Sequence, residues 1–160
     1  MDLILWRHAE AQVHPDLLGG QPGDEADLAR RLTSRGDKQA ARMAAWLDRQ
    51  LPSGALIWTS PAIRAEKTAM ALGRKLKVSE VLAPEESPMA VLELAQWPVA
   101  RQPVVIVGHQ PTLGRVVAHL LGLPDPECPI KKGALWWLRQ RERDGVLQTV
   151  VVTVQTPELL

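Results

Sequence analysis

Val104-Val105-Ile106-Val107-Gly108-His109-Gln110-Pro111 is the stretch from which the fold can be read. Four branched apolar residues in a row suit a strand covered on both faces, because a strand with one wet face would alternate. The run stops at a Gly-His pair. Pro111 then opens a helix in which Leu113, Val116, Val117, Leu120 and Leu121 form an apolar stripe, and Gly122 and Pro124 end it.

The same pattern recurs toward the amino end. Asp2-Leu3-Ile4-Leu5-Trp6 reads as a short buried strand ending at Arg7-His8. The segment from His14 to Arg31, rich in Gly, Pro and acidic residues, reads as a loop. Thr33 can cap a helix running to about Leu51, with Ala40, Met43, Ala44, Leu47 and Leu51 on one face. Pro52-Ser53-Gly54 stops it, and Ala55-Leu56-Ile57-Trp58-Thr59 is a second buried strand. Ser60-Pro61 announces another helix, with Ser60 as N-cap and Pro61 at the first helical position, fading near Gly73 to Lys77. A weaker strand is expected at Glu80 to Ala83, then a short helix over Ser87 to Gln96.

Beyond the helix at Pro111 the character changes. Ala134 to Arg139 and Val146 to Gln155 are β-rich, joined by a hairpin-like turn at Arg141-Glu142-Arg143-Asp144-Gly145. Strands alternating with helices predict an α/β three-layer sandwich: a mainly parallel sheet, helices on both faces and an antiparallel C-terminal edge hairpin. Residues 1–160 carry no repeat, linker or low-complexity segment and are expected to form one domain.

Composition narrows the function. The 160 residues are 46% hydrophobic and 23% charged, the balance of an ordinary globular protein. A formal net charge of +1 supplies no global field for nucleic acid or an anionic membrane, so affinity for an anion must come from a local cluster. The single cysteine, Cys128, permits no internal disulfide and reads as structural. No apolar run approaches the length of a membrane span, and the run Leu3 to Trp6 is too short for a signal peptide, so a cytoplasmic protein is expected.

Three strand ends carry unusual polar residues: Arg7-His8, Ser60 with Arg64 just beyond, and Gly108-His109. Ligands of open α/β sheets bind outside the carboxyl ends of the strands, so these residues are expected to share one crevice. Two Arg and two His without metal-binding cysteines suit a compact anion, best a phosphate. Arg offers planar bidentate donors and keeps its charge, and a helix start near Arg64 adds free backbone N–H groups. Neutral imidazole is already nucleophilic at neutral pH, provided a hydrogen bond fixes its tautomer.

Arg7-His8-Ala9-Glu10-Ala11 resembles the signature of the histidine phosphatase superfamily, often named for phosphoglycerate mutase. Leu32-Thr33-Ser34-Arg35-Gly36, Ser60-Pro61-Ala62-Ile63-Arg64-Ala65 and Gly108-His109 look like later blocks of the same family. The order spans nearly the whole chain, and the short length without a large inserted lid is most similar to the SixA-type phosphohistidine phosphatases. The resemblance implies a phosphoglycerate mutase-like fold, His8 as the phosphorylated residue, and a phosphate pocket completed by Arg7, Arg64 and His109, with no metal and no cofactor. The usual third signature residue is Gly; here it is Ala9, which a left-handed backbone would disfavour. For a general acid, the family's loop after the third strand points to Glu85 or Glu86, with Glu85 favoured and Glu10 in the first loop another candidate, also as a substrate contact.

The leading expectation is therefore metal-independent hydrolysis of a phosphohistidine-bearing protein. A small-molecule phosphomonoesterase, a non-catalytic phosphate-binding module and a metal-dependent hydrolase are the alternatives. His14 and His119 are not expected to be ligands. The pairs Arg30-Arg31 and Lys131-Lys132 read as solvated, and Trp136 and Trp137 as neighbours on opposite sheet faces, one packing inward.

Overall fold

The computed structural model describes residues 1–13 and 21–160. Six strands form one sheet in the order β3-β2-β4-β1-β5-β6, from β1 (Asp2–Arg7), β2 (Leu56–Thr59), β3 (Lys77–Val78), β4 (Val104–Gly108), β5 (Leu135–Arg143) and β6 (Val146–Gln155). β1, β2 and β3 run parallel with their neighbours around β4, while β5 pairs antiparallel with β1 and β6 antiparallel with β5. This is the expected mainly parallel sheet with an antiparallel edge hairpin.

Every residue of β4 is buried, as its unbroken apolar run requires. Its alternate side chains serve two cores. Val104 and Ile106, with Leu3 and Leu5 of β1, meet Val91 and Leu92 of α4 (Pro88–Leu94) and Leu113, Val116 and Val117 of α5 (Thr112–Leu121). Val105 and Val107, with Ile4 and Trp6, meet Met43, Ala44 and Leu47 of α2 (Ser34–Gln50) and Ala65 and Ala69 of α3 (Ile63–Met70). Helices thus cover both faces. Each fully buried aliphatic side chain contributes about 1.5–3 kcal/mol, so the two cores hold the layers in place.

Caps behave as their residue types dictate in most places. The Thr33 hydroxyl accepts from the Gly36 N–H at the start of α2, Ser87 caps α4, and Gly122 closes α5 in the left-handed conformation. Several expectations need correction. The strand expected at Glu80 to Ala83 is a 3-10 turn over Glu80–Leu82 capped by Ser79, and the pairing segment is Lys77–Val78. Ser60 is not the N-cap of α3 and Pro61 is not its first residue: the helix starts at Ile63 with Ala62 as N-cap, and the Ser60 hydroxyl accepts from the Ala62 N–H at 3.1 Å while also meeting His109. The loop from His14 to Arg31 contains a short helix, α1 (Glu25–Leu28), capped by Asp24; His14 itself lies outside the described residues.

The hairpin is longer than its charges suggested. Arg141, Glu142 and Arg143 belong to β5, and the turn is Asp144-Gly145, both at positive φ. Trp136 and Trp137 do face opposite sides, and both pack inward, one against each core. Cys128 is a buried free thiol whose carbonyl accepts from the Gln110 side chain. Among the described residues no helix is long and apolar enough to cross a membrane.

Candidate active site

The backbone joins the strand ends before any side chain does. The His8 N–H donates to the Gly108 carbonyl at 3.1 Å, and the Ser60 N–H donates to the Val107 carbonyl at 3.0 Å. The segment entering β5 completes the frame: the Gly133 N–H donates to the His8 carbonyl, and the Arg7 N–H to the Ala134 carbonyl, each at 3.0 Å. Arg7, His8, Ser60, Arg64 and His109 therefore come together at the carboxyl edge of the parallel strands.

His8 is 6% exposed, and its Nδ1 lies 2.8 Å from the Ala9 carbonyl oxygen. A carbonyl can only accept, so Nδ1 carries the proton and Nε2 keeps its lone pair. Burial first, and then His109, Arg64 and Arg7, hold His8 well below the usual imidazole pKa, against the opposing pull of the Ala9 bond. The ring is neutral at neutral pH. Ala9 does not adopt a positive φ, so its methyl costs no backbone strain; its N–H donates to the Thr68 hydroxyl at 3.0 Å, and Thr68 donates to the Arg64 carbonyl at 2.8 Å.

Arg64 lies in the first turn of α3, and its guanidinium is shared. Nε is 3.4 Å from His8 Nε2, Nη2 is 3.4 Å from His109 Nδ1, and Nη1 donates to the Asp27 carbonyl at 2.7 Å. Nη2 also faces the Asp27 carboxylate at 3.2 Å. Because a guanidinium only donates, His109 Nδ1 must accept, which leaves Nε2–H to donate to the Ser60 hydroxyl at 2.7 Å. Burial, aided by Arg64, lowers the His109 pKa to about 3, so this ring too is neutral. The two imidazole centroids are 5.2 Å apart.

Arg7 donates through Nη1 to the Ile130 carbonyl at 2.7 Å, while its buried Nε has no partner among the described residues. A buried guanidinium N–H without an acceptor is costly, and an anion in the crevice is the chemistry that relieves it.

Among the described residues, the carboxylates of the glutamates expected as acids make no hydrogen bond to Arg7, His8, Arg64 or His109. Glu85 is exposed, at φ 69°, in the loop before α4, and Glu86 is exposed with its carbonyl accepting from Thr112. The Glu10 carboxylate accepts from the Thr33 hydroxyl at 2.9 Å and faces Arg35 at 3.7 Å, which ties it to the start of α2. Sequence reasoning missed Asp27 and Thr68 and read Ser60 as a cap. The signal for Asp27 was present in part: Asp24, three residues earlier, has the form of an N-cap. Among the described residues no three His, Cys, Asp or Glu side chains gather as a metal-holding group.

Two neutral imidazoles and two guanidiniums thus meet at the carboxyl edge of the parallel strands of an α/β fold, a set of groups whose charge and donor geometry suit a compact anion. The sequence profile of the histidine phosphatase superfamily (branch 1) matches residues 3–86, and the chain belongs to that family. It is 28% identical to the phosphohistidine phosphatase SixA homolog of Haemophilus influenzae over 141 residues, 79% of this chain and 80% of that protein. Its fold superposes with TM-score 0.72 on the protein histidine phosphatase SixA complexed with tungstate, at 23% identity, covering 99% of each chain. Phosphoserine phosphatase from Entamoeba histolytica, in complex with 3-phosphoglyceric acid, superposes with TM-score 0.73 at 19% identity, again covering 99% of each chain.

Proposed function

We propose that this chain is a metal-independent phosphatase that hydrolyses phosphohistidine on a protein, through a phosphoryl group carried briefly by His8. The observation that carries the reading is the state of His8: buried, neutral, proton fixed on Nδ1 by the Ala9 carbonyl, and Nε2 turned toward Arg64. Membership of the superfamily and the likeness to the SixA homolog support it.

In the first step His8 Nε2 attacks phosphorus in line, forming a P–N bond as the P–N bond of the substrate breaks. Arg7 and Arg64 hold the equatorial oxygens, the buried Nε–H of Arg7 gaining its acceptor, and His109 joins them by turning its Nε2–H from the Ser60 hydroxyl to a phosphate oxygen. The substrate ring, already protonated by solvent on its other nitrogen, leaves as neutral imidazole. In the second step water attacks phospho-His8, inorganic phosphate leaves, and the proton returns to solvent.

The distribution of acids favours a phosphoramidate. An alkoxide leaving group is strongly basic and needs a proton delivered in the transition state, whereas a phosphohistidine ring protonated beforehand on its other nitrogen leaves as neutral imidazole and needs no acid from the protein. Glu10 is engaged by α2, and Glu85 and Glu86 are exposed. An ester substrate would call on Glu85 from the rim.

The test compares phosphate release from a phosphohistidine peptide and from p-nitrophenyl phosphate in excess chelator. A preference for the phosphoramidate, and loss of turnover by at least about a thousandfold in His8→Ala, are the expected results. Chelator-sensitive turnover, or activity surviving in His8→Ala, would overturn the proposal.

A further inference from the structure

Beside the crevice, on the α2 side, lies a groove of about 220 Å³ lined by Arg35, Lys38, Gln39, Arg42, Pro157 and Glu158. Arg35, Lys38 and Arg42 stand at helical spacing on α2, and all three are exposed. Against three cations the lining sets one carboxylate, Glu158, while Arg35 also faces Glu10. The exposed Lys131 and Lys132 precede Gly133, whose added Cβ would meet both Pro157 and Gln39 of the same lining. In a chain with 19 basic and 18 acidic residues this is a local excess of positive charge.

The groove is anchored to the nucleophile from two sides. Gln39 accepts from the Glu10 N–H at 2.9 Å, two residues after His8, and Gly133 donates to the His8 carbonyl. The loop that supplies Asp27 to Arg64 carries Asp24 and Glu25 before that residue and Arg30 and Arg31 after it, so it offers no comparable run of cations, and Glu85 and Glu86 lie in the loop before α4.

We propose that this groove docks an acidic stretch of the protein that carries the phosphohistidine, a reading that rests on the activity proposed above. With the phosphorylated side chain in the crevice, flanking carboxylates are attracted along Arg35, Lys38 and Arg42. The charge of the groove thus selects an acidic partner. A nucleic acid fits poorly: three cations neutralise few phosphates, and no aromatic side chain lines the groove for base stacking.

Two peptides of equal length, each phosphorylated on one central histidine, test this; one is flanked by Asp and Glu, the other by Ser and Gly. The wild-type protein should favour the acidic peptide in kcat/KM by roughly tenfold at low salt, and the preference should vanish at high salt. Lys38→Glu combined with Arg42→Glu should abolish the preference while turnover of p-nitrophenyl phosphate and of the neutral peptide stays within about twofold. Fluorescence anisotropy of the labelled, unphosphorylated acidic peptide reads docking separately from catalysis. Equal use of the two peptides, or a preference unchanged in the double variant, overturns the docking surface. So does a single-stranded oligonucleotide that outcompetes the acidic peptide. Anisotropy that depends on Lys38 and Arg42 without turnover of any substrate supports the docking surface and overturns the proposed activity.

Discussion

At Asp27, burial alone would favour a protonated carboxyl. The Gly23 N–H at 2.8 Å, the charge of Arg64 and the hydrogen bonds from Arg30 and Arg64 outweigh it, so the carboxyl sits below its usual range. Among the described residues this carboxylate is the one full negative charge against Arg64, a side chain 4% exposed that also faces two imidazoles. Asp27→Ala leaves that guanidinium buried without its counter-ion and should cost about 3 kcal/mol in urea unfolding. Inorganic phosphate, by supplying the missing charge, should stabilise Asp27→Ala more than it stabilises the wild type. Equal stabilisation of the two would mean that Arg64 does not reach the bound anion.

Helix α2 shows why an element can matter to a site that contains none of its side chains. Gly36 lies in its first turns, where helix propensity alone would favour Ala by about 1 kcal/mol. Sterics decide otherwise, because a Cβ at Gly36 would run into the Glu10 carbonyl, two residues from His8. Gly36→Ala should therefore destabilise by about 1–3 kcal/mol and lower kcat, since the loop that presents His8 must shift to relieve the clash. A stabilised Gly36→Ala with unchanged turnover would show that the helix and the loop move independently. Much of this element was readable in advance: the Thr33 cap and the apolar face depend only on local chemistry. The Glu10 contact was not, because it joins segments distant in sequence.

Across the whole molecule, the parts visible in the sequence are those with local causes. The apolar runs of β1 and β4 announced buried strands, and polar residues at their ends announced the crevice that gathers His8, Arg64 and His109. What escaped notice depends on partners far along the chain. Ser60 looked like a cap because Ser-Pro commonly is one, yet its hydroxyl serves His109, 49 residues on. Asp27 acts on Arg64, 37 residues away. Val81 and Leu82 resembled a strand, but the pairing edge fell to Lys77–Val78. The same burial that hid these contacts sets the pH response. His8 and His109 both have folded pKa values below the unfolded value of about 6.5. Between the two values the unfolded chain binds more protons. Stability is therefore fully present above about pH 6.5 and falls as the pH drops, by up to about 1.4 kcal/mol per unit for each ring. For His109 the fall continues to about pH 3. Urea midpoints measured from about pH 8 to about pH 5 should show this decline, and His109→Asn should flatten it; a flat wild-type profile would sink the account.

β1 is the first strand of the chain, yet its two neighbours in the sheet are the fourth and the fifth. Protein is made from the amino end, so His8 leaves the ribosome long before its backbone partners exist to hold it. Gly108, which receives the His8 N–H, follows a hundred residues later, and Gly133 and Ala134 later still. A chain arrested before Gly133 carries His8, Arg64 and His109 but lacks the segment that fixes the backbone of Arg7 and His8. The frame around Arg7 and His8 is therefore complete only once Gly133 and Ala134 have been made, and the order of synthesis sets the order in which the site can assemble.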